Sequence, residues 1–441
     1  MTKNKNNKSM IEALEGRTMC AGHALKAAAP IALNVTTNGS DLVINGTAAA
    51  DQITVTKTDA GLVIGNTGGW TTTVSGNYNN IRIYGNAGND SVTVDASVTN
   101  NAMIYGGAGN DSLTGGNGDD TFVTIGGGKD VITGRAGNDS VWADKSDTIT
   151  DASGFENANG YVHKVGSFEG IKTTTGTGKK AKTKVTKVSM ELNGDNLVDP
   201  TADAGMVYRN FSNKPLFADN GPVADDVNQG YLGDCYFLAT LSSTAKVDAN
   251  VIKQSVVELG DGTYAVKFVK NGSEVYYRVD GQLPTWGNGA LAYANTGTQN
   301  SVWVAIMEKA YAFFRTGAGT YASIESGWMS EVYSALGKTS TSMFSAASSA
   351  DLLSVIKSAL EQGKSVTYGA ATPTDGAPLI GNHAYMVDHV NADSHGNLVS
   401  VTLRNPWGID GAGNDGANDG YVTITAAQAK NALIGITIAA V

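Results

Sequence analysis

The stretch Gln229-Gly-Tyr-Leu-Gly-Asp-Cys-Tyr-Phe-Leu-Ala-Thr-Leu241 places a cysteine where a Gly-Asp turn gives way to an apolar run. Phe237, Leu238 and Leu241 recur at three- and four-residue spacing and Ala245 extends the stripe, the pattern of one buried helical face. Asp234 stands where it would cap that helix, which puts Cys235 in the first turn. There the free amide N–H groups and the positive end of the helix dipole favour a thiolate. A buried, inert cysteine fits the same local pattern, so partners elsewhere in the chain have to decide.

Two later blocks supply them. Gly381-Asn-His-Ala-Tyr-Met-Val-Asp-His-Val390 brings His383 to the start of a strand, with Tyr385, Val387 and His389 expected on the same face. Leu403-Arg-Asn-Pro-Trp-Gly408 sets Asn405 on the turn after the next strand. A thiol nucleophile needs a base for its proton, a group that orients the base, and donors for the developing oxyanion. His23, His163 and His395 sit in polar stretches and are expected to be solvated.

With Glu308-Lys-Ala-Tyr311 and Ser323-Ile-Glu-Ser-Gly-Trp328, these blocks closely resemble the calpain cysteine protease core, over roughly residues 205–430. The resemblance implies an α+β, papain-like two-lobed fold that hydrolyses protein substrates through an acyl-thioester. It implies Cys235 as nucleophile, His383 as base and then acid, and Asn405 as the group that orients the imidazole. Gln229 would donate its amide to the oxyanion beside the Cys235 N–H, and Trp407 would shield the His–Asn pair at the substrate cleft. Tyr236 departs from the family, in which a tryptophan usually follows the cysteine. Of one calcium site implied for the core, Gly221 and Asp226 keep their places, whereas its usual glutamate aligns with Ala322.

The N-terminal half reads differently. Short strand-like pieces such as Leu42-Val-Ile44, Ile53-Thr-Val55 and Ile81-Arg-Ile-Tyr84 lead into a nonapeptide pattern. Gly106-Gly-Ala-Gly-Asn-Asp-Ser-Leu-Thr114 is followed by Gly115-Gly-Asn-Gly-Asp-Asp-Thr-Phe-Val123, then by the imperfect Gly126–Thr133, then by Gly134–Trp142; Gly85–Thr93 is an earlier copy. Glycine permits tight turns, the aspartate supplies a carboxylate, and the apolar residue two places on points inward. The pattern resembles the haemolysin-type (RTX) calcium-binding repeats that build an all-β parallel β-roll. Asp90, Asp111, Asp120, Asp130 and Asp139 are the candidate Ca2+ ligands, because calcium takes several oxygens and stacked turns offer carboxylates with carbonyls.

Composition divides the chain along the same lines. Residues 31–160 carry 14 acidic and five basic side chains, whereas residues 161–189 carry seven lysines and one glutamate. The expected organisation is a flexible tail over 1–30, a glycine-rich β-roll over 31–150, a basic linker over 151–200 and a protease domain over 201–441. Helices are expected at Trp303–Phe314 and Ser349–Gln362, with strands gathering later. The net charge of −10 disfavours nucleic acid as a partner. With only Cys20 and Cys235, no disulfide framework is expected. No run is long enough to span a membrane, and His23 and Lys26 interrupt the early apolar stretch, so a cleavable leader is not expected. Calcium-binding repeats favour an extracellular or cell-surface setting, with cell-surface or matrix contact through the roll. The competing reading is a non-enzymatic calcium-binding adhesin or matrix protein that carries a relic protease fold.

Overall fold

The computed structural model describes residues 31–175, 182–194, 196–413 and 416–441; Cys20, His23 and the expected N-terminal tail lie outside the described residues. The repeats form a β-solenoid of about four turns over residues 80–165. One sheet stacks Asn80–Tyr84, Asn101–Tyr105, Thr121–Val123, Ser140–Asp144 and Val162–Val165 in parallel. The facing sheet stacks Gln52–Thr58, Ser91–Val94, Ser112–Thr114, Val131–Thr133 and Thr148–Ile149. Antiparallel pairs from residues 34–45 and 52–74 finish one end.

The apolar residue two places after each aspartate (Val92, Leu113, Phe122, Ile132 and Val141) is buried between the sheets, as the repeat requires. The leading glycine has an equally direct cause. A Cβ at Gly85, Gly106, Gly115 or Gly134 would fall 2.2–2.8 Å from Oδ2 of Asp90, Asp111, Asp120 or Asp139, inside contact distance. The carboxylate therefore folds over its own turn only because no side chain stands there.

The solenoid continues through Val162–Val165, past the expected boundary at 150. Parts of the expected linker form secondary structure. Gly154–Ala158 is a short helix closed by a capping box between Ser153 and Glu156, and Ile171–Thr175 pairs with Lys182–Thr186 as a hairpin. Threonine and valine between the lysines suit a pleated strand, which composition alone does not reveal.

Two apolar clusters build the C-terminal half. The first gathers the helices Cys235–Val247, Trp303–Phe314 and Met329–Ala335 with a three-stranded antiparallel sheet, Val256–Glu258, Thr263–Lys270 and Ser273–Asp280. That sheet breaks the expected order of helices before strands. Thr263–Phe268 is buried at every position, so the alternation that marks a half-exposed strand is absent. The second cluster lies between the helix Ser349–Glu361 and a six-stranded antiparallel sheet. In that sheet His383–Ala392 pairs with Leu398–Arg404, which pairs with Tyr421–Thr425.

Among the described residues no helix is long and apolar enough to cross a membrane.

Candidate active site and calcium-binding turns

Cys235 is the first residue of its helix, whose body packs across the strands Ser365–Ala370 and His383–Ala392. The strand register explains how the other two groups meet. Met386 pairs with Arg404, so His383, three residues earlier, and Asn405, one residue later, emerge at the same end of the sheet. Cys235 and His383 line one cavity of about 260 Å³, together with Tyr236, Trp328, Met329 and Phe344.

The Asn405 amide is oriented from both sides. Its Nδ2 donates to the Asp410 carbonyl at 3.1 Å, and its Oδ1 accepts the Trp407 backbone N–H at 3.0 Å. Oδ1 also lies 2.9 Å from His383 Nε2, so that nitrogen must carry the proton and donate. Nδ1 is left as the acceptor. The Trp407 ring centroid lies 5.0 Å from that of His383 and covers the pair. Asp410 is buried and escapes a reading based on residue type, because it acts here through its carbonyl.

The electrostatics differ from the expected thiolate. Burial pushes the Cys235 thiol up to about 11, against the backbone N–H of Ala384 and with the Asp234 carboxylate adding to the rise. Burial likewise lowers His383 to about 4, against the hydrogen bond to Asn405. Desolvation of a single charge thus outweighs the helix start. Asp234 makes no capping hydrogen bond. It is fully buried and interacts with Glu308, and burial raises both carboxyls above their ordinary values.

Gln229 is buried, and its amide is committed to its own loop. Nε2 donates to the Leu232 carbonyl at 2.5 Å and lies 3.3 Å from Asp234 Oδ1. The Gln229 backbone N–H donates to Pro406 O at 2.7 Å, tying the cysteine loop to the asparagine turn. Tyr236 keeps an aromatic behind the cysteine: its hydroxyl donates to Ile324 O at 3.0 Å and Arg315 lies over its ring. His389 is exposed, because a bulge at Val387/His389 interrupts the strand's alternation. His395 is exposed as expected. His163 is not solvated: it is fully buried, 4.0 Å from the Trp142 ring, with Nε2 3.1 Å from Gln254 Oε1.

The calcium candidates fall into distinct environments. Among the described residues no three His, Cys, Asp or Glu side chains converge as a metal site, so an ion would need main-chain carbonyls as well. Along one rim of the roll, each aspartate Oδ1 accepts the backbone N–H of the residue at the same place one turn earlier. Asp90 takes Asp51, Asp111 takes Asp90, and Asp130 takes Asp111, at 2.7–2.8 Å. The three other oxygens, Oδ2 of Asp90, Asp111 and Asp130, are buried without a hydrogen-bond partner. These suit a hard cation. On the opposite rim Asp120 Oδ1 accepts Ala102 N–H and Oδ2 accepts Gly116 N–H, so its carboxylate is satisfied.

The Gly221–Asp226 pair is filled from within the chain. Gln299 Nε2 lies 3.1 Å from Gly221 O and from both Asp226 oxygens. Trp303 Nε1 and Val223 N–H also donate to Asp226 Oδ2. This arrangement does not fit a resident ion: an amide N–H group occupies the centre of the oxygens. Ala322 lies in the turn Tyr321–Ile324 and has no carboxylate to offer.

Comparison with known proteins assigns both halves of the chain to families. Residues 207–420 match the family described as calpain family cysteine protease, and segments at 74–96, 99–124 and 124–147 match the RTX calcium-binding nonapeptide repeat. Calpain-A of Drosophila melanogaster is 31% identical over 224 residues, 46% of this chain and 26% of its own length. The calpain-1 catalytic subunit of Sus scrofa is 30% identical over 229 residues, 47% of this chain and 31% of its own. The chain thus spans between about a quarter and a third of the length of these relatives. Residues 207–420 are a calpain-family cysteine protease domain, which this chain carries behind RTX-type calcium-binding repeats.

Proposed function

We propose that the chain is a cysteine endopeptidase in which Cys235 attacks the peptide carbonyl, His383 moves the proton and Asn405 holds His383 in the required tautomer. The observation that carries this is the doubly anchored Asn405 amide, which leaves His383 Nδ1 as a proton acceptor beside the cavity that Cys235 lines. In the first half-reaction the sulfur–carbon bond forms as the thiol proton passes to Nδ1. The proton then goes to the leaving amine as the C–N bond breaks. Water, deprotonated by the same nitrogen, hydrolyses the thioester. The Cys235 backbone N–H, in the first turn of its helix, serves as an oxyanion donor. Gln229, with its amide turned to Leu232, braces the loop; it joins the oxyanion site only by giving up that hydrogen bond.

Calcium acts through the roll, where aspartates with unpartnered oxygens supply fitting ligands, and it stabilises the chain as a whole. Such ligands load most readily where calcium is abundant, which favours an extracellular setting.

The test is hydrolysis of a disordered protein, with calcium and with a chelator, by the native chain and by Cys235→Ala. Cleavage by the native chain alone is expected in at least one condition. No cleavage in either, with Cys235 unlabelled by a peptidyl electrophile, would favour the adhesin reading with a relic fold.

The protonation states give a second expectation. With the thiol up at about 11 and the imidazole down at about 4, both groups are neutral at pH 7 in the resting site. Alkylation of Cys235 by iodoacetamide should therefore climb about tenfold per pH unit from 7 to 9, tracking the thiolate fraction. A plateau below pH 8 would instead mean a preformed thiolate–imidazolium pair.

A further inference from the structure

The residue four places before the repeat's aspartate differs from turn to turn. At this place the backbone is left-handed in four turns, with φ of 74° at Asn86, 87° at Gly107, 81° at Gly126 and 73° at Arg135. Two of these residues have a side chain, and both reach back to the turn before. Asn86 Nδ2 donates to Gly46 O at 2.8 Å. Arg135 Nη1 donates to Gly115 O at 3.0 Å and to Val94 O at 2.6 Å. Main-chain carbonyls that calcium would need are thereby taken by N–H donors of the chain itself.

Gly107 and Gly126 send nothing back. A Cβ at Gly107 would fall 2.0 Å from Asn86 O and one at Gly126 2.1 Å from Met190 O, so backbone lies against both glycines. The gaps at these turns are those flanked by Asp90 and Asp111, and by Asp111 and Asp130. These are the aspartates that each keep one buried oxygen without a partner, at 1–2% exposure. An unpaired buried carboxylate oxygen costs free energy that a divalent ion with carbonyl co-ligands would offset. Both ends of this row are closed. Asp51 Oδ2 accepts Thr47 N–H, and Asp147 Oδ2 accepts the Thr124 hydroxyl and the Asp144 N–H. Asp144 Oδ1 is also buried and unpartnered, beside the Gly126 turn, whose N–H donates to Asp144 Oδ2 at 3.2 Å.

We propose that calcium loads on this rim alone, between the turns of Asp90, Asp111 and Asp130, and that the opposite rim is held by the guanidinium of Arg135 in place of an ion. The roll is then one-sided: Asp111 serves two gaps, while Asp120 and Asp139 close turns without metal. The inference rests on the reading of the roll as a calcium binder.

The experiment is an ion count by equilibrium dialysis against radioactive calcium, on the full chain at neutral pH. Asn keeps one oxygen for the N–H of the earlier turn, so Asp111→Asn leaves the ladder intact and Asp120→Asn gives up only the acceptor of the Gly116 N–H. Asp111→Asn should lose the larger part of the bound calcium, and Asp120→Asn should lose none. Arg135→Gly, which suits the left-handed backbone, should gain one ion. Circular dichroism confirms that each variant keeps its strand signal. Equal losses from Asp111→Asn and Asp120→Asn, or no gain in Arg135→Gly, would overturn the one-sided roll while leaving calcium binding intact. A native chain that binds no calcium would remove both readings.

Discussion

Replacement of His383 by Ala is expected to lower kcat/KM by roughly four orders of magnitude at pH 7, with KM little changed. The size follows from the thiol. At about 11, it leaves only about one part in ten thousand as thiolate at pH 7, so the reaction depends on a base that removes the proton during attack. A cysteine with a low resting value would lose far less. The deficit should shrink as pH rises, about tenfold per unit up to pH 9, because hydroxide increasingly does what the imidazole did. Asn405→Ala should be milder, about ten- to a hundredfold, since the imidazole loses its orientation but remains present. That change also removes the acceptor of the Trp407 N–H, so its effect should fall on the turn as well. A His383→Ala variant with native activity, or a deficit that does not change with pH, would disprove the assignment.

Cys235, His383 and Asn405, the proposed nucleophile, base and orienting amide, can be picked out in the sequence because each sits in a block where geometry follows from local rules. A Gly-Asp turn opens a helix at Cys235, a strand begins at His383, and a Pro-Trp turn follows Asn405. The inward-pointing residues of the roll are legible for the same reason, since their spacing is the fold. What stays hidden is whatever depends on which backbone atom a side chain meets. Nothing local says that the Asp234 carboxyl turns away from its helix towards Glu308, or that Gln299 fills the space beside Asp226. The donors of Asn86 and Arg135 are visible as departures from glycine, but the carbonyls they occupy belong to a turn about 20 to 40 residues earlier. His163 is misplaced by a polar neighbourhood in sequence that becomes an interior one in space.

That interior joins the roll to the protease, and it carries the second large expectation. Tyr105, Val123, Ile125, Trp142 and Val165 of the roll, with Phe168 just after it, share one apolar cluster with Val257, Leu259, Ala265 and Tyr276 of the protease half. Trp142 is fully buried within it. Its Nε1 donates to Ser140 Oγ at 3.2 Å, and Ser140 Oγ donates to Gln254 Oε1 at 2.9 Å. Gln254 Oε1 also lies 3.1 Å from His163 Nε2, so roll and protease are tied by hydrogen bonds where the rings pack. Trp142→Ala removes the largest side chain of this cluster, and a buried Trp→Ala change costs about 3–5 kcal/mol. At about 2–4 °C per kcal/mol for a unit of this size, the melting temperature should fall by roughly 10 °C. Trp142→Phe, which keeps a ring against His163 and Tyr276, should lose about half as much. The decisive reading is coupling. If the interface transmits stability, the half-life of protease activity at elevated temperature shortens in Trp142→Ala, and calcium, bound far from Cys235 on the roll, no longer lengthens it. Unchanged heat resistance of the activity would mean that the two halves unfold independently, and calcium would then stabilise the roll without protecting the site.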